Sequence, residues 1–89
     1  MPVISMFYGI IVRMFHFDDK RHSLPHIHVE YQGDVAVIEI ETAEILAGDI
    51  PSKKLRLVQA WIEIHRKELM DDWQLSVNGG RPFGIEPLR

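Results

Sequence analysis

The sequence contains no cysteine, which excludes both disulfide staples and thiolate metal sites. Nor has it an apolar run near the roughly 20 residues that a membrane-crossing helix needs, so no membrane span is expected. Positive charge is not in excess: 10 Lys and Arg stand against 13 Asp and Glu, giving a formal charge of −3. A general electrostatic grip on nucleic acid needs a basic surface, so that role is disfavoured by the acidic balance. Only Lys20-Arg21 and Lys53-Lys54-Leu55-Arg56 make local basic patches. There is no internal repeat and no low-complexity tract. Met1-Pro2-Val3-Ile4-Ser5 lacks the basic-then-apolar layout of a secretory signal. With cysteine also missing, a cytoplasmic setting is expected.

What is present fits an ordinary globular chain, 46% hydrophobic and 26% charged. At 89 residues it has room for one core and hence one domain. A core that small is marginal alone, so a dimer or other homo-oligomer, or a small partner protein, is expected.

The most distinctive stretch is His22-Ser-Leu-Pro-His26-Ile-His28-Val-Glu30-Tyr31, which holds three of the five histidines. On a strand, residues two apart share a face. His26, His28 and Glu30 would project together, with Ile27, Val29 and Tyr31 on the reverse. Gln32-Gly33 reads as a two-residue turn. The strand that follows, 34–41, then sets Glu30 opposite Val35, His28 opposite Val37 and His26 opposite Glu39. In that register Ile27, Val29, Tyr31, Ala36, Ile38 and Ile40 form one buried face. Both histidines share the wetted face with Glu30, Glu39 and Glu41. A slip of one residue would invert one strand's faces, so the agreement of the two patterns supports the register.

Residues 9–17 are rich in β-branched and aromatic types and read as a further strand, with Ile10, Val12, Met14 and His16 inward and Arg13 outward. Residues 18–25 read as a loop, and 44–47 as a short edge strand. Gly48 to Ser52 opens a helix expected over about 51–72. Its apolar stripe is Leu55, Val58, Ile62 and Leu69, with Trp61 on one flank. Leu57 and Ile64 lie on the far side, available to the tail or a second subunit. Trp61 and Trp73 read as core, and Lys53, Lys54 and Arg56 as a solvated face. His65 reads as a partly buried histidine satisfied by a carbonyl or loop. The tail, with Phe83 and Ile85, either adds an edge strand or crosses the core. The expected architecture is α+β: a three- to four-stranded, largely antiparallel sheet backed by one main helix, with a docked C-terminal tail.

Three readings of the HxH pair stand side by side. His26, His28 and Glu30 could hold a divalent metal ion, which imidazole suits; Glu39, His22, Asp18 and Asp19 are alternative third ligands. Without metal, His26 or His28 could act as general acid or base, while Arg13 stabilises an anionic transition state, as a small ribonuclease would want. The plainest reading is a polar sheet face whose histidines pair with carboxylates on neighbouring strands.

Several motifs resemble one family. They are Met1-Pro2-x-Ile4-Ser5-x-Phe7-x-Gly9-Ile10, Pro25-His26-x-His28-Val29-x-Tyr31 and Ile40-Glu41-Thr42-x-Glu44-x-Leu46-x-Gly48. To these the chain adds Leu57-Val58-x-x-Trp61-x-x-x-His65-x-x-Glu68-Leu69-x-x-x-Trp73 and Ile85-Glu86-Pro87-Leu88. Together they resemble the small, mostly bacterial domain-of-unknown-function family numbered four-one-six-zero. In the loop the sequence departs from the family pattern, because Lys20, Arg21, Ser23 and Leu24 interrupt or replace its Asp-His-x-Pro-Pro-His run. The resemblance implies a gene pair of toxin–antitoxin type, with a small protein from an adjacent gene as partner. It implies no enzymatic activity.

Overall fold

A computed structural model describes residues 2–16 and 24–89. The expectations for Asp18, Asp19, Lys20, Arg21 and His22 therefore lie outside the described residues. Among the described residues five strands form one antiparallel sheet in sequence order: β1 (Val3–Phe7), β2 (Ile10–Arg13), β3 (His26–Tyr31), β4 (Asp34–Glu39) and β5 (Ile45–Gly48). One helix, α1 (Ser52–Val77), follows. The architecture is α+β as expected, with one strand more than the sequence reading allowed.

The extra strand comes from the first hairpin. Tyr8 and Gly9 both have positive φ, +50° and +80°, as a tight turn matched to the strands' twist requires. Val3–Phe7 consequently folds back on Ile10–Arg13, with Met6 opposite Ile11 and Phe7 opposite Ile10. The single strand expected over 9–17 is thus the second arm of a hairpin and ends at Arg13. Gln32 and Gly33 make a second turn of the same kind, at +47° and +89°. The β3–β4 register is the expected one: His26 faces Glu39, His28 faces Val37 and Glu30 faces Val35.

One face of the sheet is apolar and covered. Ile10, Val12, Met14, Ile27, Val29, Ala36, Ile38 and Ile40 are fully buried against Val58, Trp61, Ile62 and Leu69 of α1. Trp61 is central rather than flanking; it packs on Phe7 at 5.3 Å between ring centroids and donates its indole N–H to the Glu86 carbonyl. The helix runs five residues past the expected end, because nothing breaks it before Asn78-Gly79-Gly80. There Gly79, at φ +83°, and Gly80 return their N–H groups to the carbonyls of Ser76 and Leu75, closing the last turn. At His65 the backbone leaves helical values (φ −111°, ψ 19°), and the axis kinks. Lys54, read as solvated, instead donates to the Tyr8 carbonyl and lies 4.9 Å over the Tyr31 ring, tying the start of α1 to the two turns.

The tail forms no strand. Three hydrogen bonds to its backbone hold it: Ile85 N–H donates to the Ile4 carbonyl, Phe83 N–H donates to the Asp72 carboxylate, and the Glu86 carbonyl accepts from the Trp61 indole. Both sheet edges are blunted. β1 carries an irregularity between Val3 and Ser5 and is met by the tail, while β5 is four residues long and shifts register beside Val37 and Ile38. Ile64 is left exposed on the far side of the helix, and Leu57 packs at the core's margin.

Gly48 closes this edge. Its φ is +70°, and a Cβ there would sit 2.1 Å from the Val35 carbonyl oxygen. Gly33 also has positive φ, but a Cβ would meet nothing within 4 Å. Gly33→Ala is therefore expected to cost only the left-handed penalty of about 1–2 kcal/mol. Gly48→Ala must in addition push backbone apart and should cost clearly more. Urea unfolding of the two variants checks this, and equal losses would contradict it.

Candidate functional site

The face opposite α1 is assembled from two cross-strand rows. One runs Met6, Ile11, Glu30 and Val35; the other runs Val3, Arg13, His28, Val37 and Ala47. Arg13 Nε donates to Glu30 Oε1 at 3.0 Å, a diagonal pair between neighbouring strands. Around it Met6, Val35 and Val3 are exposed at 61%, 47% and 44%. Ile11 and His28 are half-buried, and Val37 is nearly closed off.

His26 and His28 are neighbours, their rings 5.1 Å apart in an edge arrangement. They sit in a knot of aromatic groups. Phe15 stacks on His28 at 4.1 Å, Trp73 tilts against His26 at 4.9 Å, and His16 meets Trp73 edge-on at 5.5 Å. His26 Nδ1 lies 2.7 Å from the Leu24 carbonyl oxygen. A carbonyl only accepts, so Nδ1 carries a proton there.

One expectation is corrected. His26 does not stand on a wetted face; it is 1% exposed. It begins β3 at the end of the sheet, where the part of α1 beyond residue 72 brings Trp73 against it. A polar ring is buried at low cost when one nitrogen is hydrogen-bonded and its faces meet other rings. His16, expected inward, is exposed. Glu30, the expected third metal ligand, is paired with Arg13. Among the described residues no three His, Asp or Glu side chains are grouped to hold a metal ion. The HxH pair offers two imidazoles of the three protein ligands that a catalytic zinc takes. His65 is remote from this knot in role: its Nδ1 pairs with Glu68 at 2.8 Å and its ring lies 5.7 Å from Trp61.

The sequence reading missed Asp72. It continues the buried stripe of Val58, Trp61, Ile62 and Leu69 at helical spacing, and a carboxylate on an apolar stripe is a signal of a buried anchor. Asp72 is 3% exposed, and its Oδ1 accepts the Phe83 N–H at 3.0 Å. Burial pushes its carboxyl above the ordinary value; the Phe83 bond opposes this, and the charges of Glu68 and Asp71 add to it.

These features define a small α+β domain with one sheet face packed on α1, a buried histidine–aromatic knot and an anchored tail. The chain belongs to the family described as Domain of unknown function (DUF4160), whose model matches residues 9–74. No curated protein and no solved structure matches it. Among the described residues no helix is long and apolar enough to cross a membrane.

Because the folded carboxyl of Asp72 holds its proton more tightly than the unfolded one, its contribution to stability is fully present below the unfolded pKa. That contribution is lost as pH rises through the raised folded value. Asp72→Asn keeps an acceptor for Phe83 and removes the charge. It is expected to be at least as stable as the parent at neutral pH and to lack this pH-dependent component. Asp72→Ala strands the Phe83 N–H and should cost about 1–3 kcal/mol. Denaturant titrations across pH check both; an Asn variant weaker at neutral pH, with the parent's pH slope, would contradict the assignment.

Proposed function

We propose that this protein is an interaction component of a two-protein pair of toxin–antitoxin type, acting in the cytoplasm and docking its partner on the sheet face opposite α1. The supporting observation is that face: among the described residues Met6, Val35 and Val3 stand exposed around the Arg13–Glu30 pair, while both sheet edges are blunted. Exposed apolar side chains with few charges among them suit a protein interface. Blunted edges argue against strand addition and favour docking by face. The small partner protein comes from the adjacent gene, as the family resemblance suggests; a second copy of this chain is the other occupant to be distinguished.

Co-expression with the product of the adjacent gene, followed by size-exclusion chromatography, tests this. A stable complex is expected, and Met6→Asp and Val35→Asp should each weaken it at least about tenfold, or 1.4 kcal/mol, while leaving the melting temperature nearly unchanged. A monomer indifferent to that neighbour overturns the reading. A homodimer sensitive to the same substitutions overturns the partner but keeps the surface.

The contact between the His26 and His28 rings, with Arg13 opposite His28, favours a second reading: a small histidine-dependent hydrolase of ribonuclease type, with or without a divalent metal. Burial of His26 weighs against it, since a substrate must reach a catalytic base. On this reading His28→Ala abolishes RNA cleavage in a protein that still folds. Absence of cleavage by the wild type removes the reading.

A further inference from the structure

Charge is divided unevenly between the two parts of the fold. Residues 1–50, which supply the sheet, hold eight acidic and three basic side chains; residues 51–89, the helix and tail, hold five acidic and seven basic ones. The sheet part thus carries −5 and the helix and tail +2. We propose that the face opposite α1 docks a basic protein surface, one that presents apolar side chains flanked by lysine and arginine, and not a second copy of this chain. The inference rests on the pairing reading above and specifies the partner's charge.

The acids of the sheet part are also the ones left without a counter-charge. In the helix and tail Glu63 pairs with Arg66, Glu68 with His65, Asp71 with Lys67 and Glu86 with Arg89. On the sheet Glu30 pairs with Arg13. Among the described residues Asp34, Glu39, Glu41, Glu44 and Asp49 make no ion pair; Glu39 is half-buried and the other four are exposed. Two cations of the helix reach toward this part of the chain, and both are engaged. Lys54 donates to the Tyr8 carbonyl and lies over the Tyr31 ring, while Arg66 donates to the Ile40 carbonyl and pairs with Glu63.

These acids frame the exposed apolar side chains. Asp34 precedes Val35 in β4, and the Asp49 N–H donates to the Val35 carbonyl, so both residues flank the end of the row that holds Met6 and Val35. Glu39 follows Val35 and Val37 on the same side of β4 by alternation. Glu41 and Glu44 lie in the turn beyond it, where the Ala43 N–H donates to the Glu39 carbonyl and the Glu39 N–H to that of Glu44. Charge then decides between the occupants. A two-fold pairing of identical chains sets one face on itself, so these carboxylates would meet carboxylates in return. A basic partner meets them with opposite charge, which speeds encounter, while Met6, Val35 and Val3 supply apolar area. The phosphates of a nucleic acid are repelled by the same acids.

The test begins with the full chain alone. Amide relaxation is measured by NMR with two small paramagnetic cosolutes, cationic aminomethyl-PROXYL and anionic carboxy-PROXYL. The amides of Met6, Val35 and Ala47 are expected to relax about twice as fast with the cation. Substituting Asp34→Asn, Glu39→Gln, Glu41→Gln, Glu44→Gln and Asp49→Asn together should bring the two rates to equality. Equal relaxation in the parent chain overturns the charge assignment, and so does a parent dimer held through Met6 and Val35 at low salt. The adjacent gene's product is then added. Its association rate should fall about tenfold in the neutralised variant, and about as much when sodium chloride is raised from about 0.05 to about 0.5 M, with dissociation little changed. The salt series needs no variant and decides the matter if the neutralised chain does not fold. A control with Glu63→Gln and Glu68→Gln on the helix should associate as the parent does. A captured neighbour whose association ignores salt and substitution overturns the basic partner and leaves the pairing. Cation enrichment at the face with no captured neighbour overturns the pairing, and the partner with it, and leaves an acidic face.

Discussion

Among the described residues one helix lies against a five-stranded sheet, and it covers one side of it. That constraint orders the rest of the molecule. The apolar rows of β2, β3 and β4 meet α1 and its buried indole of Trp61, so they hold the core. The reverse side receives the residues left over by strand alternation, which are Arg13, Glu30 and His28 together with several apolar side chains. In a larger α+β protein a second layer would bury them. Here Met6 and Val35 remain in solvent, and burying a side chain of that size contributes about 1.5–3 kcal/mol. Removing these side chains from water would therefore be favourable.

The tail resolves a second consequence of the same economy. Trp61 must lie in the core with an indole N–H that needs an acceptor, and Asp72 sits on a stripe that is otherwise apolar. The returning chain supplies the Glu86 carbonyl to the one and the Phe83 N–H to the other, and Ile85 adds a bond to β1. Helix, first hairpin and tail become one unit through three hydrogen bonds between distant parts of the chain. Each satisfies a group that would otherwise be buried and unpaired.

Much of this was legible in the sequence, for a physical reason. Strand alternation and a two-residue turn at Gln32-Gly33 over-determine the β3–β4 register, because any slip would bury glutamate and histidine among isoleucines. The helix stripe was equally readable from Val58, Ile62 and Leu69. The first hairpin was not, because apolar character runs from Val3 to Met14 and the turn at Tyr8-Gly9 interrupts it with an aromatic residue rather than a polar one. His26 was misplaced because alternation assigns a face but not the end of a sheet, where a helix five residues longer than expected closes over it. The partner of Asp72 lies 11 residues away in a segment without periodicity, so no local pattern announced it.

Methyl-detected NMR of the selectively labelled chain, recorded alone and with the adjacent gene's product, addresses the uncovered face directly. The methyls of Met6, Ile11, Val3 and Val35 should show cross-saturation from the partner, whereas those of Ile27, Val29 and Ile38 on the covered face should show none. Saturation absent from the first set, or confined to the outer side of α1 at Ile64, would contradict the account.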